Sequence, residues 1–266
     1  APGWAKWEAA LMGAAAEATE QMLDAANVEM GMKVLDLACG AGSQTIQAAK
    51  RVGPTGRVVA NDIASKMLIF ATSNAADAGL TNVETLHGPA EDLSESGLRV
   101  DAATCRLGLM LFQSPQDALS AVRNVLVENG RFAVLVVGSP QDNPLFSRTM
   151  IIALKHAGKT PPPPGSPGLF ALSDPARLES LFQAAGYIDT RVEEVAVRLS
   201  IASVDDAITM MQEAFGAYRA VLGDLDDKAR DLAWAEIRDC IEQFSDQCNV
   251  SSNMTFLLAS GSNAPT

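Results

Sequence analysis

Between Lys33 and Gly138, short apolar runs alternate with longer segments of helical spacing. KVLDLA (33–38) is nearly continuous and branched, as a buried strand requires. SQTIQAAKRV (43–52) follows with a helical repeat, and GPTGRVVAND (53–62) holds a turn and a second strand. SKMLIFATSNAADAG (65–79) reads as a helix that Ser65 caps and Gly79 ends. NVETLHG (82–88) and VDAATCRLG (100–108) are the third and fourth strands. SPQDALSAVRNVLVENG (114–130) is a helix opened by Ser-Pro and stopped by Asn-Gly, and RFAVLVVG (131–138) is a fifth strand. Strands that alternate with helices predict an α/β protein with a doubly wound, mostly parallel sheet.

Beyond Gly138 the pattern changes. Residues 139–172 hold one short helix and a proline run too long to lie inside a sheet, which suits a lid or connector. DPARLESLFQAAG (174–186) is again helical and DTRVEEVAVRLS (189–200) again a strand. Two amphipathic helices, near 203–222 and 226–246, precede a last strand, NMTFLLASG (253–261). The expected organisation is a single domain over 1–266. Residues 1–30 form an N-terminal helical cover, 31–140 a cofactor-binding core, 141–172 a lid, and 203–246 a helical insertion shaping the substrate side.

Charge and composition narrow the function. A net charge of −12 repels phosphate backbones, so nucleic acid is not an expected partner. No stretch is long and apolar enough to insert in a membrane, and the opening residues lack the basic start and apolar centre of a signal peptide. Cys39, Cys105, Cys240 and Cys248 form no C-x-x-C pair and have no His at metal-ligand spacing, so no metal is expected. Free thiols point to a reducing, cytoplasmic setting, and Cys240 and Cys248 are expected on one helix face.

The chemistry is concentrated in VLDLACGAGSQT (34–45). In an open parallel sheet, ligands bind beyond the carboxyl ends of the strands, so the loop after the first strand is the default ligand loop. A dinucleotide fold wants a third glycine where Thr45 stands, and Asp36 would repel a pyrophosphate. A nicotinamide oxidoreductase is disfavoured on both counts. Asp62, at the end of the second strand, is placed to hold two ribose hydroxyls. These features favour an adenosine ligand without phosphates and with a cationic end, and S-adenosylmethionine fits.

VLDLACGAG, VVANDIASKML, VETLHGPAEDL, DAATCRLGLMLFQSPQDAL and NVLVENGRFAVLV resemble, in order, the motifs of class I S-adenosylmethionine-dependent methyltransferases. The resemblance is to the ubiquinone/menaquinone-biosynthesis-type branch and its small-molecule relatives. It implies a Rossmann-like methyltransferase fold of seven strands, S-adenosyl-L-methionine as cofactor and S-adenosyl-L-homocysteine as product. By the same resemblance the Ala38–Gly42 backbone, with Gly40, should pack on the methionine part and ribose. Asp36 should hold that loop and the ammonium end, and Asp62 the ribose hydroxyls. Ile63 should lie on an adenine face, with Ala90 and Glu91 at its edge. Cys105 and Arg106 should sit near the cofactor and the entering substrate. Where relatives read G-D-A-E this chain reads GPAE, so Pro89 replaces an acid and removes a backbone donor.

The acceptor implied is a small, moderately apolar molecule methylated on oxygen, nitrogen or carbon. His156 is the candidate general base. Trp4 and Trp7, three apart, share a helix face that either anchors the N-terminal helix or covers the site. The alternative is a non-methylating relative, a cyclase or binding module, that keeps the cofactor as a structural element.

Overall fold

The computed structural model describes residues 2–13, 15–163, 165–246 and 249–265. Seven strands form one sheet in the order β3-β2-β1-β4-β5-β7-β6. β1 (Lys33–Leu37), β2 (Arg57–Asp62), β3 (Val83–His87), β4 (Val100–Arg106) and β5 (Leu126–Val137) are parallel. β7 (Val250–Asn263) runs antiparallel between β5 and β6 (Tyr187–Ile201). The expected α/β class, with a mostly parallel sheet and an insertion between the last two strands, is the one observed.

Parallel neighbours need crossovers, and α3 (Ser43–Val52), α4 (Ser65–Asp77) and α5 (Pro115–Val125) supply them. Phe132–Val137 are all buried. Successive side chains of a strand point to opposite faces, so both faces of β5 are covered. At the edge, β6 alternates buried and exposed from Val195 to Ile201, so one of its faces meets water. Phe182 of α7 (Pro175–Ala184) packs on Phe132 and Tyr187, and the Tyr187 hydroxyl donates to the Leu119 carbonyl at 2.9 Å.

The antiparallel strand decides where the insertion stands. Val137, the last residue of β5, pairs with Phe256, and β7 begins six residues earlier at Val250, which pairs with Ile201. The β6–β7 arm therefore runs past the carboxyl ends of the parallel strands, on the ligand side of the sheet. The insertion on its tip holds three helices where two were expected: α8 (Val204–Ala214), α9 (Gly216–Leu222) and α10 (Asp227–Glu242). Phe215, with ψ 98°, breaks the first of them. α6 (Pro144–His156) packs on α9 and α10, and α1 (Pro2–Gly13) packs on α8, which makes one cap. Cys240 is buried on α10; Cys248 lies outside the described residues. Among the described residues no helix is long and apolar enough to cross a membrane.

Two local expectations differ from the structure. α5 ends at Val125, not at Asn129-Gly130, because Leu126 already pairs with Val100 of β4. The ladder then skips to Ala102↔Arg131, and Asn129, at φ 62°, sits in the bulge. Ser65 does not cap α4. Ala64 is the cap residue, and its N–H is taken by Asp62 Oδ1 at 2.8 Å.

Gly42, the residue before α3, lies tight against α4. Its φ is 90°, and an added Cβ would lie 2.9 Å from Ala71 Cα and Cβ on α4. Gly42→Ala should combine left-handed strain with overpacking and destabilise the fold by about 2–4 kcal/mol in urea denaturation. A loss below about 0.5 kcal/mol would show that α4 does not seat on this loop.

Candidate cofactor site

The turn after β1 is built from left-handed residues. Ala38 (φ 53°), Gly40 (φ 58°) and Gly42 (φ 90°) all have positive φ, and Gly42 is the cap residue of α3. A non-glycine residue in this region is strained, so surrounding contacts must hold Ala38 there. Cys39 N–H donates to the Asn61 carbonyl at 2.9 Å, and Gly42 N–H to the Cys39 carbonyl at 3.0 Å. Gly40 N–H donates to Asp62 Oδ2 at 3.0 Å.

Asp36 holds the turn from below. It is fully buried and accepts hydrogen bonds from Gln44 Nε2 and from Thr45 Oγ1 in the first turn of α3. Thr45 thus occupies the position of a dinucleotide fold's third glycine because its hydroxyl anchors this carboxylate. Burial pushes the Asp36 carboxyl up to about 7, against the pull of Thr45, Gln44 and Arg106.

The neighbouring strand ends converge on the same turn. Asn61 Nδ2 donates to the Leu86 and Gly88 carbonyls at 2.9 and 3.1 Å, fixing β3 to β2. Ile63 is 71% exposed just past β2, and its carbonyl lies 3.1 Å from the His87 ring. At the end of β4, Leu107 has φ 58°. A Cβ on Gly108 would come 2.6 Å from Ala38 Cβ and 3.0 Å from Cys105 Sγ, so only glycine lets these two loops touch. Burial drives the Cys105 thiol up to about 12 and raises that of Cys39, so both remain protonated.

Arg106 is buried, donating to Thr19 Oγ1 of α2 (Ala16–Ala25) at 2.8 Å and to Ser43 Oγ. Its guanidinium also stands 3.8 Å from Glu8 Oε1. Burial lowers its basicity, while Glu8 and Asp36 favour the charged form.

Asp36, Ala38, Gly40, Gly42, Asp62, Cys105 and Arg106 therefore meet where β1, β2 and β4 end, with Ile63 at the rim. Ala90 and Glu91 open a short 3₁₀ segment, Ala90–Glu95, after β3; Ala90 is buried and Glu91 exposed. His156 lies elsewhere. Its Nε2 is 2.7 Å from Glu236 Oε2, and Lys155 Nζ binds the same carboxylate at 2.8 Å, which joins α6 to α10.

Sequence reasoning passed over Glu8, Ser43 and Gly108. Glu8 left a faint signal, as the one acid, four residues from Trp4, on the mostly apolar stretch 2–13.

The seven-stranded sheet with its flanking helices is a Rossmann-like α/β methyltransferase fold. Residues 28–157 match the family described as Methyltransferase domain. A similar curated protein is the ubiquinone/menaquinone biosynthesis C-methyltransferase UbiE of Ectopseudomonas mendocina, 35% identical over 127 residues. That alignment covers 47% of this chain and 49% of the relative, so the chain spans about half the length of the curated relatives it matches. Among solved structures, a Bacillus halodurans protein assigned as a methyltransferase superposes with TM-score 0.62 at 17% identity, covering 94% of this chain and 100% of that one. The [4+2]-cyclase SpnF superposes with TM-score 0.57 at 15% identity, covering 94% and 81%. Both structural likenesses are of fold.

The residues present fit the cofactor. Asp62 is 9% exposed, and a carboxylate that takes two N–H donors keeps lone pairs for hydroxyls. Gly40 leaves open the space a Cβ would fill, and Ile63 offers an apolar face.

The raised Asp36 carboxyl has a pH consequence. Its folded value near 7 lies above the ordinary 3.8, so between these limits the folded state binds more protons than the unfolded. Stability from this group is present at acid pH and lost as pH rises toward 7. Urea denaturation of the ligand-free protein from pH 5 to pH 8 should show a decline on the order of 2–4 kcal/mol. Asp36→Asn should flatten it, because Gln44 can turn its oxygen to the new amide. A slope unchanged in that variant would place the titration elsewhere.

Proposed function

We propose that this protein transfers a methyl group from S-adenosylmethionine to a small, moderately apolar acceptor. The observation that carries the reading is the Asp62 carboxylate, tied by Gly40 N–H to the left-handed turn. This joins a ribose-binding acid to a loop with room for the methionine part. Bound there, the cofactor supplies an electrophilic methyl carbon on a sulfonium.

The protein's task is to position and to exclude water. Asp62 takes the ribose hydroxyls, and Ile63 lies along the adenine. Ala90 and Glu91 edge the ring, with Pro89 leaving one donor fewer there. The Ala38–Gly42 backbone lies along the methionine part, over Asp36. Cys105 and Arg106 face the cofactor from β4.

The acceptor side is the cap. Trp4, Phe215, Phe146, Tyr218 and Trp234 form a continuous aromatic series from α1 to α10, with Phe146 and Phe215 centroids 5.1 Å apart. Such a wall suits an apolar acceptor. With a net charge of −12, a nucleic-acid acceptor is set aside, and the free thiols of Cys39, Cys105 and Cys240 favour a reducing, cytoplasmic setting. His156, foreseen as a base, is bonded to Glu236, the carboxylate that Lys155 also binds, so in this reading it secures α6 on α10. A cyclase or binding role that keeps the cofactor as a structural element is the second reading, favoured only by a fold shared with SpnF.

Asp62→Ala should weaken S-adenosylhomocysteine binding roughly ten- to hundredfold by calorimetry, since a charged acceptor contributes about 1.5–3 kcal/mol. It should also cost some stability, because Gly40 and Ala64 lose their acceptor. Asp62→Asn should be milder on both counts, and Asp77→Ala, an exposed charge on α4, should be neutral. Equal affinity in Asp62→Ala and the parent would mean that β2 does not carry the ribose. Incubation with methyl-labelled S-adenosylmethionine and a metabolite extract separates the two readings. Labelled products support transfer; cofactor binding with no labelled product supports the second.

Phe146 offers a check on the acceptor side. Phe146→Ala should change acceptor turnover several-fold while S-adenosylhomocysteine affinity stays within about twofold. Parallel losses in both would place the acceptor away from α6.

A further inference from the structure

The cofactor assignment leaves a buried acid on α1 without a task. Glu8 is 5% exposed, and its Oε1 accepts from Ser43 Oγ at 3.0 Å. A Cβ placed on Gly40 would lie 3.7 Å from that oxygen and 3.4 Å from Trp4 Nε1. Both side chains therefore border the space that Gly40 keeps open.

The cap holds α1 in this position. Lys6 Nζ and Trp7 Nε1 each reach Glu213 Oε2 of α8 at 2.7 Å. Gly3 is so close to α8 that an added Cβ would fall 2.0 Å from the Glu213 carbonyl oxygen. The Trp4 ring meets Phe215 edge-on at 6.3 Å. This is a built contact between α1, the insertion and the glycine turn.

Charge shows what belongs there. Glu8 and Asp36 are both buried, and both act electrostatically on one buried cation, Arg106. Two acids buried against one cation cannot both stay ionised without cost, and burial raises both carboxyls toward the protonated form; a further cation here would favour the charged pair. The methionine part of the cofactor carries an ammonium and a carboxylate, and the sulfonium beside them makes it cationic overall. Resting on the cofactor assignment above, we propose that Glu8 receives the α-ammonium of bound S-adenosylmethionine while Trp4 closes over the same end. α1 is then part of the cofactor site. Arg106 acts as a positioning residue, holding Glu8 and Ser43 against the turn.

The test uses three ligands by calorimetry on the full chain. These are S-adenosylhomocysteine, its analogue lacking the α-amino group, and 5′-methylthioadenosine, which lacks the whole amino-acid end. The parent should bind S-adenosylhomocysteine about tenfold more tightly than the deaminated analogue. Glu8→Gln should reduce that preference to within about twofold, through weaker S-adenosylhomocysteine binding, with methylthioadenosine unchanged. The proposal is overturned if the parent binds the deaminated analogue as tightly as S-adenosylhomocysteine, or if Glu8→Gln keeps the preference. The comparison on the parent needs no variant and stands even where Glu8→Gln fails to fold. Binding of none of the three by the parent would bring down the cofactor assignment itself, a result distinct from a Glu8 failure.

Discussion

A five-residue turn with three left-handed positions can exist only if its flanks are pinned, and here two carboxylates pin it. Asp36 grips Gln44 and Thr45 as α3 begins, and Asp62 takes the Gly40 N–H from the side. The backbone of Ala38 is strained, so removing either anchor frees it to relax. The close approach of Gly108 to Ala38 depends on the same conformation. The geometry of β1, β2 and β4 at their carboxyl ends is therefore one cooperative unit, not three loops that happen to be neighbours.

The reversal of β7 extends this unit outward. Because β7 runs against β5, the segment joining β6 to β7 must begin and end beyond the carboxyl ends of the sheet. The insertion has no other side to occupy. Its helices collect α6 and α1, and α1 carries Trp4 and Glu8 back to the turn. The chain's first helix and its late insertion thus meet over a loop encoded at residues 38–42. Tyr218, buried in the cap, shares a 2.7 Å hydrogen bond with Thr149, so α9 and α6 are joined by a polar contact within an apolar layer.

Much of this was legible in the residues because the signals were local and periodic. Continuous branched runs marked β1 and β5, and helical spacing marked α3, α4 and α5. The acids at 36 and 62 stood at strand positions where only an interaction justifies a charge. What escaped was non-local. Asn129-Gly130 carries the sequence of a helix stop, yet pairing of Leu126 with Val100 moved the boundary and turned those residues into a bulge. Ser65 has the chemistry of a cap, but the helix already includes it, and Ala64, held by Asp62, stands in the cap position. No local pattern announced that His156 pairs with Glu236, eighty residues away. Glu8 carried little local signal at all, since its burial depends on α8 holding α1 against the turn.

Electrostatics joins these levels. The exposed surface is strongly acidic, while the buried cluster under the cap contains Arg106 with Glu8 and Asp36 around it. Burial raises both carboxyls and lowers the guanidinium, while Arg106 favours the charged form of each acid and each acid favours that of Arg106. A cluster of this kind contributes little net stability. Its position, between the strained turn and the helix that closes over it, is where a ligand both cationic and zwitterionic would complete the pairing. The same ligand would lie against the apolar surfaces of Trp4 and Ile63. Shape and charge then select together, and neither the turn nor the cap could make that selection alone.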